Sequence, residues 1–281
     1  MESRSPPDRS VETEPLAREE FPRLGSFGLS DRFDPFLPKF AREALDSGGR
    51  VRAVRSPGGI AAVLLVDAEE HVASVFTRSA GLAERLFGEL PEAAVYSEHP
   101  LRAPREVFGI FGTSLEAPPP AHSFHHAVRS AAPPDAESVR ELLREVYGTV
   151  NDRWLRHASF EAEPCFVVEV GDRIAGAAWV SVAGGLARFH SLTVRPGYRR
   201  LGVGADLLFA RLLWAREAGL REAFSEISER NPVSRYLAES GGMLRVGEIS
   251  LYSRAAPPTA RDGSATSGPL HRTGTSRPSS R

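Results

Sequence analysis

The chain has 281 residues, of which 41% are hydrophobic, and its formal net charge is -1. That size suffices for one large or two modest domains. The near-zero net charge argues against a protein whose main role is to bind nucleic acid or an anionic membrane. No apolar run approaches the roughly 20 residues that a membrane-spanning helix needs, and the opening residues lack the apolar segment of a secretory signal. Cys165 is the only cysteine, which excludes an internal disulfide and a cysteine-based metal cluster and makes the cytoplasm the expected compartment.

The N-terminal part of the chain predicts a polar segment followed by a small α/β domain. Residues 1–30 are polar, charged and proline-bearing without sustained periodicity, so we expect them to be disordered. Residues 31–112 predict a hairpin at 51–66 and a helix at 80–90. Shorter strands are predicted at 71–76, 93–96 and 107–111. No phosphate-binding loop is found in this region, so a structural or substrate-shaping role is expected for it.

A proline-rich stretch separates this region from a second α/β domain. Residues 113–123 contain three successive prolines, which favour extended chain, and are the predicted linker. The second domain is expected over 124–254, and the Ala, Pro, Ser, Thr, Gly and Arg of 255–281 predict a disordered tail.

The second domain has the clearer pattern of elements. A strand at 124–129 is followed by a helix that begins after Asp135 and ends at Gly148, and by a second short helix within 151–160. Strands at 165–170 and 173–182 form a hairpin around a Gly-Asp turn, and a third strand ends at Val194. A long helix, a strand at 222–227, a short helix capped by Asn231 and one or two closing strands at 243–252 complete the domain. The predicted order is β-α-α-β-β-β-α-β-α-β.

The turn between the third strand and the long helix carries the chemistry. Glycines at 202 and 204 let a ligand approach the backbone closely. The amides from about Arg200 to Ala205 have no acceptor inside the helix, and the helix dipole adds partial positive charge. Arg199 and Arg200 add two full charges. This combination suits a pyrophosphate.

Three kinds of anion-binding loop share such glycines. Leu207 occupies the place of the third glycine of a dinucleotide fingerprint, and the Gly-Lys-Ser/Thr of a P-loop is absent. An ordinary strand-turn-helix with two glycines is the simplest alternative. What remains is Arg-x-x-Gly-x-Gly after a strand that ends Val-x-Pro, formed by Arg199, Gly202 and Gly204 after Val194 and Pro196. With the order of elements, this resembles the GNAT family of N-acetyltransferases over about 124–254.

The resemblance implies a fold, a co-substrate and a binding site. The implied fold is a mixed α/β sheet of the GNAT-like acyl-CoA N-acyltransferase type, preceded by a smaller α/β domain that would be a degenerate half of the same fold. The co-substrate would be acetyl-CoA, held in a splay between two parallel strands, here 187–194 and 222–227, with no metal involved. The implied cofactor-binding residues are Thr193, Val194, Arg199, Arg200, Leu201, Gly202, Val203, Gly204, Ala205 and Asn231.

Two residues are candidates for the base that deprotonates an amine nucleophile. His190 lies four residues before Val194, close to where many relatives carry a glutamate, and an imidazole titrates near neutrality. A histidine packed on a strand face is an equally weighted alternative. Glu226 is the second candidate, and Glu169 and Glu229 rank lower.

The general acid is missing from its usual place. The family pattern Asn-x-x-Ala-x-x-Leu-Tyr-x-x-x-Gly-Phe starts here at Asn231, and Ala238 stands where relatives have tyrosine. Tyr236 is interpreted as packing, and Asn231 first as a helix cap. Other residues are interpreted as structural or as poor ligands: His125 and His126 on opposite strand faces, Cys165 as a small buried residue, and Trp154, Trp179 and Trp214 as core.

The resulting hypothesis is an acetyl-CoA-dependent N-acetyltransferase that transfers directly to an amine-bearing small molecule or peptide, with no nucleic acid or membrane partner. The acceptor pocket is expected to include residues 149–163, where acidic groups such as Glu161 and Glu163 would favour a cationic acceptor. The alternative is a catalytically silent acyl-CoA-binding or regulatory module, which the alanine at 238 favours.

Overall fold

A computed structural model describes residues 11–67, 72–90, 94–101, 103–148, 160 and 163–253. The chain divides into two units. The first consists of the described residues up to Glu106 together with those from Ile249 onward, and the second of Val107–Glu248.

The first unit is a mixed sheet with two helices. Its strands are β1 (Glu14–Pro15), β2 (Arg50–Ser56), β3 (Gly59–Asp67), β4 (Val72–Thr77) and β5 (Ala94–Ser97), and its helices are α1 (Leu37–Asp46) and α2 (Ala80–Glu89). β2, β3 and β4 form an antiparallel meander, and β5 lies parallel to β4 after the crossover through α2. The predicted hairpin is therefore confirmed. Leu64 and Val66 of the hairpin share one core with Val75 of β4 and Leu86 of α2.

The segment expected to be disordered is partly folded. Arg18–Ser26 forms a 3-10 helix that packs against α1, with Phe21 and Leu24 fully buried. The prediction from composition fails here because two apolar side chains, spaced three residues apart, anchor an otherwise polar stretch. Residues 1–10 lie outside the described part of the chain.

The second unit has a sheet with a helix on each face. Its strands are β6 (Glu106–Ser114), β7 (Val128–Ser130), β8 (Cys165–Val170), β9 (Arg173–Ala183), β10 (Leu186–Val194), β11 (Glu222–Ser228) and the first part of β12 (Leu244–Ser253), and its helices are α3 (Ala136–Tyr147), α4 (Val203–Glu217) and α5 (Pro232–Ser240). The strand order is β6-β11-β10-β9-β8-β7. One core joins the sheet to α4 and the other joins it to α3, including Trp179.

The observed boundaries differ from the predicted domains. β6 runs to Ser114 and pairs along its length with β11, so residues 113 and 114 are strand and not linker. Leu115 is buried as well. The predicted second domain also extends too far at its end, because Ser250–Ser253 of β12 pair with β5 and belong to the first unit. The sequence could not indicate this exchange, because a short apolar strand fits either sheet equally well.

The two units share one sequence of pairings. In each, three antiparallel strands lead through a helix into a strand parallel to the third: β2-β3-β4-α2-β5 and β8-β9-β10-α4-β11. This order is what a repeated half of one fold predicts, and it makes α2 the counterpart of α4.

Candidate active site

Strands β10 and β11 part after their first residues. Their parallel pairing covers residues 186–188 of β10 and 222–224 of β11, and the described residues beyond show no further pairing between them. β10 then shifts register against β9 between His190 and Thr193, where Ser191 takes a φ of 54°. The predicted strands thus flank an opening that ends at the turn before α4.

The turn exposes the start of α4. Pro196–Tyr198 forms a 3-10 turn, Arg200 has a φ of 65° and Gly202 a φ of 90°. The first hydrogen bond that enters the helix runs from the amide of Asp206 to the carbonyl of Gly202, at 3.0 Å. No side chain caps this helix at Gly202. Its first amides therefore have no acceptor within the helix, which is the property that anion binding at a helix start requires.

The counterpart helix α2 is closed at the same point. The Ser79 hydroxyl accepts a hydrogen bond from the amide of Leu82 at 3.2 Å. Arg78, next to the cap, bonds the carbonyl of Gly28 and the carboxylate of Asp31. This serine cap occupies one of the amides that would otherwise be open to an anion. The two helix starts therefore differ in the property that phosphate binding requires.

The two glycines of the turn serve different needs. At Gly202 the positive φ disfavours other residues, and a Cβ atom would lie 2.9 Å from Nδ1 of His125. At Gly204 the nearest atom to a Cβ would be Leu237 Cδ2 at 3.6 Å, an ordinary contact. The fold therefore requires glycine at 202 and does not require it at 204.

Asp206 holds the chain segment that precedes β7. Its fully buried carboxylate accepts hydrogen bonds from the side chains of His122 (2.8 Å) and His126 (2.9 Å) and from the amides of His125 (3.2 Å) and His126 (3.0 Å). Burial raises the pKa of Asp206, but these hydrogen bonds outweigh it and leave the pKa below its ordinary value. His125 and His126 are therefore not on opposite faces of a strand, and the predicted strand starts only at Val128.

Sequence reasoning did not identify Asp206. A lone acidic residue among the apolar positions of a helix that is buried on several sides was the available signal, because a buried carboxylate demands partners.

His190 lies in a buried polar network. Its Nε2 is 3.1 Å from Oε2 of Glu163 and 3.1 Å from the Ser181 hydroxyl, and its Nδ1 is 2.9 Å from the Ser191 hydroxyl. The Ser181 hydroxyl also donates to Oε1 of Glu163. All four side chains are almost completely buried. His190 is thus neither simply packed nor alone, and the two serines were missed because serine alternation in a strand gives no signal.

Glu226 forms a buried ion pair with Arg188. Nε of Arg188 donates to its two carboxylate oxygens at 2.8 and 3.2 Å, and the side chains are 3% and 4% exposed. This geometry joins β10 to β11 beside the point where they part. It gives Glu226 a charge partner that sequence reasoning did not provide.

Two tyrosines of the second unit lie in different settings, and only Tyr236 is close in sequence to the position of the missing acid. Ala238 is buried in the core with Met243, whereas Tyr236 is 74% exposed and does not pack as expected. On the other side of the sheet, the Tyr147 hydroxyl lies 2.9 Å from the Thr193 hydroxyl. Burial raises the pKa of Tyr147, so the phenol keeps its proton at neutral pH.

The remaining candidates take structural positions. Glu169 pairs with Arg129, and Glu229 with Arg235 and Arg245. Asn231 accepts a hydrogen bond from the amide of Ser234 at 3.1 Å and is the helix cap that was predicted.

Cys165 and Trp179 are buried as predicted, and burial raises the pKa of the thiol. Trp214 packs edge-on against Phe166.

Three expectations concern features that the described residues do not contain or cover only in part. Within the described part of the chain, no group of three or more His, Cys, Asp or Glu side chains is arranged for a metal ion. None of the helices described there combines the length and apolarity of a membrane span. Of the expected acceptor pocket, residues 149–159, 161 and 162 lie outside the described residues, and with them Trp154 and Glu161.

Comparison with known proteins identifies the second unit. Residues 130–243 match the family model described as Acetyltransferase (GNAT) family. No curated protein matches the chain.

Solved structures show the fold over most of the chain. A GCN5-related N-acetyltransferase from Sphaerobacter thermophilus has a TM-score of 0.60 at 19% identity, covering 85% of this chain and 94% of its own. A GNAT-family acetyltransferase from Colwellia psychrerythraea has a TM-score of 0.59 at 10% identity, with 86% and 99% covered. The N-myristoyltransferase of Saccharomyces cerevisiae, solved with bound myristoyl-CoA, has a TM-score of 0.57 at 14% identity, with 92% and 82% covered. Residues 130–243 therefore match a GNAT acetyltransferase domain, and this match supports acyl-CoA-dependent acyltransferase activity in general.

Proposed function

We propose that the protein is an acetyl-CoA-dependent N-acetyltransferase that moves the acetyl group directly to an amine. The observation that carries the proposal is the uncapped start of α4, which lies at the end of the opening between β10 and β11. A pyrophosphate needs converging amides and positive charge, and both occur at this turn.

The proposed binding residues follow the path from the strand to the helix. Backbone groups of Thr193 and Val194 would pair with the pantetheine arm where β10 has no β11 partner. The turn from Arg199 to Ala205 would hold the pyrophosphate. The glycine at 204, which the fold does not require, supports close approach of a ligand at that point. Asn231 remains a cap with a CoA contact as its second role.

His190 is the proposed general base. The neutral amine attacks the thioester carbonyl carbon, and the C–S bond breaks when the tetrahedral intermediate collapses. Ser181, which donates to Glu163, accepts from Nε2 of His190 and so leaves Nδ1 as the nitrogen that accepts a proton. Glu226 is assigned the lesser part, because its carboxylate neutralises Arg188. The thiolate leaves without an acid from α5, since a thiol with a pKa of roughly 8.5 is a good leaving group near neutrality.

The second candidate is a silent acyl-CoA-binding module. It is favoured by Ala238, which is buried where relatives carry the tyrosine acid. Turnover distinguishes the two functions: an enzyme releases free CoA when an amine is added, whereas a sensor only binds.

Binding is tested by calorimetry with acetyl-CoA on the full chain and on two matched variants. Gly204 is the second residue of α4 and Gly81 the second residue of α2, and a Cβ at either meets nothing closer than an ordinary contact. Gly204→Glu should abolish binding through charge and bulk, while Gly81→Glu adds the same charge and should leave affinity unchanged. Equal affinity for acetyl-CoA in all three proteins would contradict the assignment of the binding site to the start of α4.

The reaction is then tested with a panel of small amines, amino acids and peptides, following release of CoA thiol. Acetyl-CoA is compared with longer acyl-CoA compounds in the same assay. His190→Ala should reduce turnover by about 10²–10⁴-fold if the imidazole is the base.

A further inference from the structure

Glu163, Ser181, His190 and Ser191 form a continuous line of hydrogen-bonding groups, in which Ser181 connects the carboxylate to the imidazole. The carboxylate oxygen Oε2 is 3.1 Å from Nε2 of the imidazole, and Nδ1 is 2.9 Å from the serine hydroxyl. Acid, imidazole and hydroxyl in this order are the arrangement that activates a serine nucleophile, whatever the fold that carries them. The geometry points to Ser191 as a residue that takes the acyl group from acyl-CoA when no amine is bound, which gives the protein a second activity as an acyl-CoA hydrolase. The inference rests on the proposed function in one respect, that acyl-CoA binds between β10 and β11.

The direction of the hydrogen bonds follows from the acid. The Ser181 hydroxyl gives its one hydrogen to Oε1 of Glu163, so it accepts from Nε2 of His190, and that nitrogen must carry a hydrogen. A neutral imidazole then has its lone pair on Nδ1, and the Ser191 hydroxyl is the donor to it. The proton that His190 is placed to remove first is therefore the serine proton. An acceptor amine would have to reach Nδ1 by displacing this hydroxyl or by passing its proton through it.

The backbone at Ser191 is strained. Its φ is 54°, and only two other non-glycine residues of the described chain, Phe160 and Arg200, have a positive φ. Such a conformation is energetically unfavourable for a residue with a side chain and persists where the surrounding structure imposes it. In hydrolases a nucleophilic serine sits on a similarly strained turn, which brings its oxygen out of the strand. Here Ser191 lies in the bulge of β10, beyond the residues that pair with β11, and its hydroxyl faces Nδ1 of His190.

The two partners of the imidazole are held firmly. Ser181 is fully buried and donates to the other oxygen of Glu163, which keeps that carboxylate facing the ring. Glu163 itself is 5% exposed. Glu163 acts through His190 and is a positioning residue, as the third member of such a line is in general.

The step balances without a further co-reactant. Oγ of Ser191 attacks the thioester carbonyl carbon, and its proton moves to Nδ1 of His190. Collapse of the tetrahedral intermediate breaks the C–S bond, and the CoA thiolate takes the proton from His190 and leaves as the thiol. Water then attacks the serine ester with His190 as base, which returns the hydroxyl and releases the carboxylic acid. An amine competes with the serine for the same acyl group.

The test uses the full chain, acetyl-CoA and no amine. We expect CoA thiol to be released, with either a mass gain of one acetyl group mapped to Ser191 or steady hydrolysis. Ser191→Ala should keep acetyl-CoA affinity in calorimetry and reduce release to the uncatalysed rate. Cys165→Ala is the control, since the only thiol of the chain is the competing nucleophile, and it should behave as the wild type.

Glu163→Gln tests the positioning role. It should lower the rate of CoA release while the KM for acetyl-CoA stays the same, a split that a general loss of structure does not produce.

Three outcomes overturn the inference. Bound acetyl-CoA with neither adduct nor release in the wild type refutes it, while an amine-dependent reaction in the same preparation leaves the proposed function standing. An acetyl group mapped to another residue, with release unaffected by Ser191→Ala, also refutes it. If acetyl-CoA does not bind at all, the proposed function and this inference fall together.

Discussion

Replacing Glu226 tests whether its carboxylate stabilises the fold or acts as the catalytic base. Its ion pair with Arg188 is 3% and 4% exposed and held by two hydrogen bonds. Removing one partner of such a buried pair leaves an uncompensated charge and costs about 3–5 kcal/mol. Glu226→Ala should therefore destabilise the second unit by that amount. The double variant Arg188→Met with Glu226→Leu should recover most of the loss, since apolar replacement of a buried pair is often neutral or stabilising.

The assay is urea unfolding followed by tryptophan fluorescence. All three tryptophans of the chain lie between residues 154 and 214, so the signal reports on the second unit. Acetyl transfer by the folded double variant is measured across pH in parallel. A stability loss below about 1 kcal/mol in Glu226→Ala, well under the figure for a broken buried pair, together with a double variant that folds but has lost transfer, would refute the structural assignment. It would make Glu226 the base instead of His190.

Two further predictions concern the start of α4. Gly202→Ala places a non-glycine residue at a φ of 90°, which costs about 1–2 kcal/mol, so a lower thermal midpoint is expected. Gly204→Ala is its control and should unfold at the wild-type temperature; equal midpoints in both variants would contradict the assignment of strain. Asp206→Ala leaves the donors of His122, His125 and His126 without their acceptor, and each buried unsatisfied donor costs about 1–3 kcal/mol. Because the folded-state pKa of Asp206 is lowered, the stability that its charge contributes is present above the ordinary Asp pKa of about 3.9 and is lost as the pH falls further. The difference in unfolding free energy between the wild type and Asp206→Asn should therefore shrink in that acid range. A difference that stays constant there would contradict this linkage.

The sequence predicted the elements that local patterns define. The hairpin of β8 and β9, the helices α3 and α4 and the cap at Asn231 follow from alternation, helical spacing and turn residues. The same reasoning found the turn with its two glycines, because strand, breaker and helix are adjacent in the chain. It also named His190, which the structure places in a buried network.

The pairs that give those residues their chemistry are far apart in sequence. Glu163 and His190 are separated by 27 positions, and Arg188 and Glu226 by 38, so their contact depends on the register of several strands. Asp206 meets the segment before β7 across more than 80 positions. Neither amino-acid composition nor hydrophobic periodicity indicates which distant residues come into contact. The disordered start and the linker were misjudged for a related reason: Phe21, Leu24 and Leu115 are buried by partners that no local pattern reveals.

What the sequence alone determined is the order of elements, the phosphate-type turn and its resemblance to the GNAT family, since each depends on residues within one or two turns of chain. What only the tertiary structure decided is which polar side chains share a buried space: Glu163 with His190 and Ser191, and Glu226 with Arg188. The physical reason is that a buried charge is tolerated only with a partner, and strand pairing and helix packing choose that partner.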